Sequence, residues 1–124
     1  MKSYFRYIYK NLPPWFWRRL KEGGWGNFSS SQISVVLRLQ PQLHPHFDLS
    51  QLDGEDIALV LRRQPQLHTL FDLGKLDGED IGDVLQQQPQ LHPLFDLRKL
   101  DGWDIAMLLR KQPQLQNLFQ NSNV

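Results

Sequence analysis

At 124 residues, 40% hydrophobic content and a net charge of +1, the chain suffices for one domain with its own core, and two would stretch it. No run approaches the roughly 20 apolar residues of a membrane span, and Met1 to Lys10 mixes charges and tyrosines where a secretory signal shows a smooth apolar stretch. Cysteine is absent, which removes disulfides and thiolate chemistry and fits a reducing interior, so the expected location is cytoplasmic.

The charge divides unevenly. Residues 1–28 carry Lys2, Arg6, Lys10, Arg18, Arg19 and Lys21 against Glu22, a balance of +5, and residues 29–124 hold 8 bases and 12 acids, a balance of −4. Opposite signs in so short a chain suggest two jobs, or one region docking on the other. In this leader Tyr4, Phe5, Tyr7, Tyr9, Trp15, Phe16, Trp17, Trp25 and Phe28 are interleaved with the bases. Pro13-Pro14 separates two short helical stretches, the second running to about Glu22 before Gly23-Gly24 stops it. The favoured expectation is an aromatic and basic cap, because the first unit of a repeat array needs its apolar edge covered. Single-stranded nucleic acid could also stack on such aromatics and pair with the bases. An interfacial membrane role is disfavoured, since apolar and basic residues do not divide into faces. A protein partner would use the same Trp15, Trp17, Arg18 and Arg19.

From Ser29 onward the chain repeats with a period of 24. Leu52-Asp53-Gly54-Glu55-Asp56-Ile57 returns as Leu76 to Ile81 and as Leu100 to Ile105. Gln64-Pro65-Gln66-Leu67 has counterparts beginning at Gln40, Gln88 and Gln112. The four units are Ser29–Leu52, Asp53–Leu76, Asp77–Leu100 and Asp101–Val124. In each, a capping residue and its partner three positions on open a helix: Ser29 with Gln32, Asp53 with Asp56, Asp77 with Asp80, Asp101 with Asp104. Ile57, Val60, Leu61 and Gln64 then follow at the spacing of one helical face. Pro65 disfavours helical geometry at Gln64 and suits the first turn of a second, shorter helix, Pro65 to Phe71, with Leu67, Leu70 and Phe71 on its buried side. The residues from Asp72 to Leu76 form the return. Neither helix is buried by so small a unit alone, so the units must stack. Ser34, Ala58, Gly82 and Ala106 are equivalent and all small, as close approach of the next unit requires. The predicted fold is all-α: a short α-solenoid of two-helix repeats over 29–124 behind an N-terminal helical cap, 1–28.

The unit resembles bacterial tandem repeats of the same length that read roughly L-D-G-x-D-x-x-x-L-L-x-x-Q-P-Q, a pattern met here from Leu52-Asp53-Gly54-Glu55-Asp56 through Leu61 to Gln64-Pro65-Gln66. It is also similar in layout to the leucine-rich repeat variant family, with Gln64-Pro65 where that family has Asn-Pro. The resemblance covers residues 29–124, implies architecture, and brings no catalytic residues with it.

Chemistry-bearing residues are sparse. His44, His68 and His92 share one repeat position, with Gln116 in the fourth. Stacked helices lie about 8–10 Å apart, too far for a shared zinc ion with ligands at about 2 Å, so a surface or inter-unit hydrogen-bonding role is expected. His46 has no further ligands near it in sequence. The Asp-Gly-Glu-Asp turns lack the alternating oxygens of a calcium loop and read as caps. The Ser29-Ser30-Ser31 run has no nucleophile elbow, and Gly23-Gly24-Trp25-Gly26 lacks a following Lys-Ser/Thr. No catalytic residue, metal or cofactor is expected. The recurring amides Gln40, Gln64, Gln88 and Gln112, with Gln42, Gln66, Gln90 and Gln114, suit a ladder of like amides in stacked units.

Positions that differ between units are the candidates for a partner. Ser31, Glu55, Glu79 and Trp103 form one set; Trp103 either covers the last unit's edge or anchors an interface. Val35, Leu59, Asp83 and Met107 form a second. Arg38, Arg62, Gln86 and Arg110 form a third, followed by Leu39, Arg63, Gln87 and Lys111. Its bases either complement the helix dipole or make a broken basic stripe. The functional expectation is a non-enzymatic binding module for a protein partner, an adaptor or an inhibitor of a larger complex. The alternative is nucleic-acid binding led by the leader. The expected contact residues are Trp103, Arg38, Arg62, Arg63, Arg110 and Lys111 on the repeats and Trp15, Trp17, Arg18 and Arg19 in the leader.

Overall fold

The protein is described by a computed structural model over Tyr9 and residues 11–120. It is a short all-α solenoid of repeated 24-residue units, and the described residues contain no strand. Helix α1 (Pro14–Gly23) precedes four helices of equal length, α2 (Ser30–Leu39), α3 (Gly54–Arg63), α4 (Gly78–Gln87) and α5 (Gly102–Lys111), and a short α6 (Gln116–Gln120) follows. Consecutive long helices pack side by side, each on the next.

The caps form as their sequence directs. Asp77 Oδ1 accepts from the Asp80 N–H at 2.8 Å, and Asp80 Oδ2 accepts from the Asp77 N–H at 3.2 Å. Ser29 with Gln32 and Asp101 with Asp104 close the same two-way box. Asp53 makes only the forward bond, to the Asp56 N–H at 2.9 Å. The Asp56 carboxylate is buried and meets the Ser30 hydroxyl of the preceding unit.

The second half of the unit corrects the expectation of one short α-helix. Pro65–Leu70 and Pro89–Leu94 are 3-10 helices, as is Pro41–His46, and each ends where Phe47, Phe71 or Phe95 turns extended. The return is itself a 3-10 turn, Leu49–Gln51, Leu73–Lys75 or Leu97–Lys99. Asp48, Asp72 or Asp96 caps it through the N–H two residues on. The expected inner face survives in part: Leu67 is buried and Phe71 half-buried, but Leu70 is 37% and Leu94 40% exposed. A 3-10 rise of about 2 Å per residue sets Leu70 about 6 Å beyond Leu67 along the axis, at the end of the turn, where Phe71 leaves it extended. The fourth unit differs. Gln120 stands where earlier units have a capping aspartate, and the chain continues from Pro113–Leu115 into α6.

Buried leucine, isoleucine and valine run through the stack without interruption: Ile33, Val36 and Leu37, then Ile57, Val60 and Leu61, then Ile81, Val84 and Leu85. Burying a side chain of this size contributes about 1.5–3 kcal/mol, and each unit obtains it from its neighbours.

At the leading end, α1 starts at Pro14 and stops at Gly24, whose φ of +70° only glycine adopts readily. Leu12, Phe16 and Phe28 are buried, and the Phe16 and Phe28 rings stack at 5.3 Å. The first helical stretch of the leader, with Tyr4, Phe5 and Tyr7, lies outside the described residues.

Candidate interaction surface

The junction between units is built from recurring polar bonds. Gln64, Gln88 and Gln112 each donate a side-chain amide at 2.8 Å to a carbonyl at the end of the preceding long helix, that of Arg38, Arg62 and Gln86 in turn. Gln66, Gln90 and Gln114 then donate to those amides from within the same unit at 2.8–2.9 Å. The expected ladder of like amides is replaced by this relay. A helix end leaves carbonyls without intrahelical partners, and they attract the nearest donor. Gln40 lacks a preceding unit and donates to Asn11 Oδ1, so the leader substitutes for one.

Lys75 and Lys99 make a second stitch that the sequence reading missed. The Lys75 ammonium donates to the carbonyls of Ser50 and Leu52, both at 3.0 Å, and Lys99 to those of Gly74 and Leu76, at 3.3 and 3.1 Å. Their 24-residue spacing was the available signal.

The third element of the junction is space. A methyl group on Gly54 would run into the Lys75 carbonyl oxygen, and one on Gly78 into that of Lys99. The next unit's carboxylate is also close, Asp80 Oδ2 at 2.9 Å from that methyl position on Gly54. The small row behaves differently. Ser34, Ala58 and Gly82 are buried beneath the next unit, yet a methyl on Gly82 meets nothing nearer than Asp104 Cβ at 3.9 Å. Smallness is required there; nothing in the structure requires glycine over alanine.

The three variable sets turn out to share one stripe of each long helix. On α3 it is Glu55, Ala58, Leu59 and Arg62, at the spacing of one helical face, and all four line a groove between α3 and α4. From the far wall Asp77, Glu79, Asp80 and Asp83 face it, and Asp53 and Lys75 close it. The groove is therefore acidic, with Arg62 at the helix end. On α5 the same stripe reads Trp103, Ala106, Met107 and Arg110. Trp103 is 73% exposed, and Met107 is half-buried.

The bases divide into three groups. Arg38, Arg62 and Arg63 come together across α2 and α3: burial first, then the charges of Arg63 and Arg62, holds the Arg38 guanidinium below its ordinary pKa. Arg38 also donates to the Ser34 carbonyl at 3.3 Å. Arg110 and Lys111 are exposed two repeats on from Arg62 and Arg63, beyond Gln86 and Gln87, which break the stripe. In the leader, Arg18 is exposed, while Arg19 donates to the Asn27 carbonyl and the Asn27 amide returns a bond to Arg19, both at 2.9 Å. Trp15 and Trp17 are half-buried, Trp15 tilted against Phe28 and Trp17 edge-on to Phe16.

His44, His68 and His92 are half-buried, one in each 3-10 helix. His46 lies flat on Trp25, ring centres 4.0 Å apart. Among the described residues no group of three or more histidines and carboxylates could hold a metal ion, and no helix is long and apolar enough to cross a membrane.

Burial pushes the Asp80 carboxyl up to about 6, and neighbouring Asp77 and Asp83 add to the rise. Burial raises Asp56 as well, against the bond from Ser30. Each stands at a unit boundary, where desolvation and like charge favour the protonated form.

No family model, no curated protein and no solved structure matches the chain.

Proposed function

We propose that the protein is a non-enzymatic protein-binding module, an adaptor or an inhibitor of a larger complex, that engages its partner through the variable stripe of its long helices. The observation that carries this reading is the groove between α3 and α4, along which Glu55, Leu59 and Arg62 face Glu79 and Asp83, all at positions that differ between units. The identical positions Gln64, Pro65 and Leu67, with their counterparts, are spent on the stack. A partner meeting this surface finds carboxylates at the helix starts, guanidinium groups at the helix ends and the Trp103 indole on the last unit. Tryptophan and arginine are the residues that most often carry binding energy in protein interfaces.

The experiment is capture of a partner from nuclease-treated lysate of the native host, with cross-links mapped back to the chain. Trp103→Ala or Arg62→Glu should abolish capture while the melting temperature stays within a few degrees of the parent, because Trp103 is largely exposed. Capture indifferent to both substitutions removes the stripe as the interface. Capture that disappears on nuclease treatment and falls steeply with salt supports the leader-led nucleic-acid reading instead.

A further inference from the structure

The stack does not require the bases at the ends of its long helices. At the ends of α2, α3 and α4 the same junction forms, a glutamine of the following unit donating at 2.8 Å to the carbonyl of Arg38, Arg62 or Gln86. The helix ending in Gln86-Gln87 makes this bond as well as the two that end in bases. The helix dipole favours a cation there by about 0.3–1 kcal/mol, which one base per helix satisfies. Three are gathered instead. Arg38 and Arg62 hold equivalent positions on helices packed side by side, and Arg63 follows. None of the three makes an ion pair among the described residues, where Arg98 pairs with Asp96. Residues 1–10 and 121–124 contain no aspartate or glutamate. The cost of gathering them falls on Arg38, which burial and the charges of Arg63 and Arg62 hold below its ordinary pKa; the opposing charge of Asp56 is the smallest of these influences.

We propose that Arg38, Arg62 and Arg63 receive an acidic segment of the partner protein, whose carboxylates seat across the ends of α2 and α3. The inference rests on the protein-binding reading and names the chemistry of what is bound. A guanidinium presents planar, paired donors that match a carboxylate two by two. Neighbouring helices lie about 8–10 Å apart, and an extended chain advances about 3.3 Å per residue, so carboxylates two or three positions apart span the two helix ends. A nucleic-acid strand fits less well. It carries a charge about every 3.4 Å along its whole length. Beside the cluster the groove presents Glu55, Glu79 and Asp83, and Gln86 and Gln87 interrupt the bases. A short acidic stretch ends before it meets either.

The test follows the fluorescence anisotropy of a labelled decapeptide with glutamate at alternate positions, titrated with the full chain. The same peptide with glutamines and a single-stranded oligothymidylate are titrated alongside. Saturable binding of the glutamate peptide is expected, and none of the glutamine peptide. Arg62→Gln/Arg63→Gln should weaken it about tenfold or more, the usual order for losing charge-assisted hydrogen bonds. This variant carries the residues that α4 has at the same positions, so it should melt within a few degrees of the parent. Lys21→Gln/Arg98→Gln removes as much charge from exposed sites elsewhere and should bind like the parent. No binding of the glutamate peptide, binding unchanged in Arg62→Gln/Arg63→Gln, or an equal loss in both double variants overturns the proposal. So does tighter binding of the oligothymidylate that Arg62→Gln/Arg63→Gln also loses, which would assign the cluster to nucleic acid. Partner capture that is lost in Trp103→Ala but indifferent to Arg62→Gln/Arg63→Gln leaves the protein-binding reading standing while this one fails.

Discussion

Glycines at two positions of the unit boundary respond oppositely to substitution. Gly54 and Gly78 admit no methyl group, whereas Gly82 does. Gly78→Ala should therefore destabilise the fold by about 1–3 kcal/mol through overpacking. Gly82→Ala should stabilise it by about 0.5–1 kcal/mol, the helix-propensity gain. Urea titrations of both variants check the contrast, and equal effects would contradict the packing described. Asp80 adds a pH dependence. Its folded pKa, about 6, is raised above the unfolded value, which for aspartate is about 3.9. Its contribution is thus fully present below the unfolded value and is lost as pH rises through 6. Asp80→Asn keeps an oxygen for the Asp77 N–H without the charge, so it should raise the melting temperature more at pH 7.5 than at pH 4.5. A gain equal at both pH values would show that the carboxylate is not penalised by its surroundings.

At the scale of the element, the long helix is decided locally and its follower is not. Capping side chains, a 3.6-residue apolar rhythm and a closing Gln-Pro lie within ten or so residues of one another, so α2 to α5 were legible from sequence. Pro65 to Leu70 carries an equally helical pattern but becomes a 3-10 helix, because what it packs on and where it must hand over to Phe71 are tertiary matters. The amide relay shows the same limit. Recurring glutamines announced a structural role, but their acceptors lie 26 residues back, on Arg38, Arg62 and Gln86. Gln88→Ala should cost about 1 kcal/mol, the loss expected for one hydrogen bond to an otherwise unpartnered carbonyl. Chemical denaturation measures it. No loss would mean that water serves the Arg62 carbonyl equally well.

For the whole molecule, stability is cooperative along the stack, since neighbouring units supply one another's burial. Phe16 is fully buried and stacks on Phe28, which meets Phe47 of the first unit edge-on and so links the leader to that stack. Phe16→Ala should cost about 3–5 kcal/mol and lower a single melting transition. A biphasic melt, with the repeats unfolding at the parental temperature, would show instead that the leader is an independent appendage.

The sequence by itself determined the period, the unit boundaries, the caps, the long helices, the all-α class and the small row, because each rests on chemistry within one turn or on a pattern repeated every 24 residues. Tertiary structure decided the rest. It made the second segment 3-10, exposed Leu70 and Leu94, gave Lys75 and Lys99 their carbonyls, and gathered three separately noted variable sets into one groove-side stripe. These outcomes depend on how far and at what angle one unit sits from the next, and that distance is a balance of packing over the whole interface which no single position in the chain encodes.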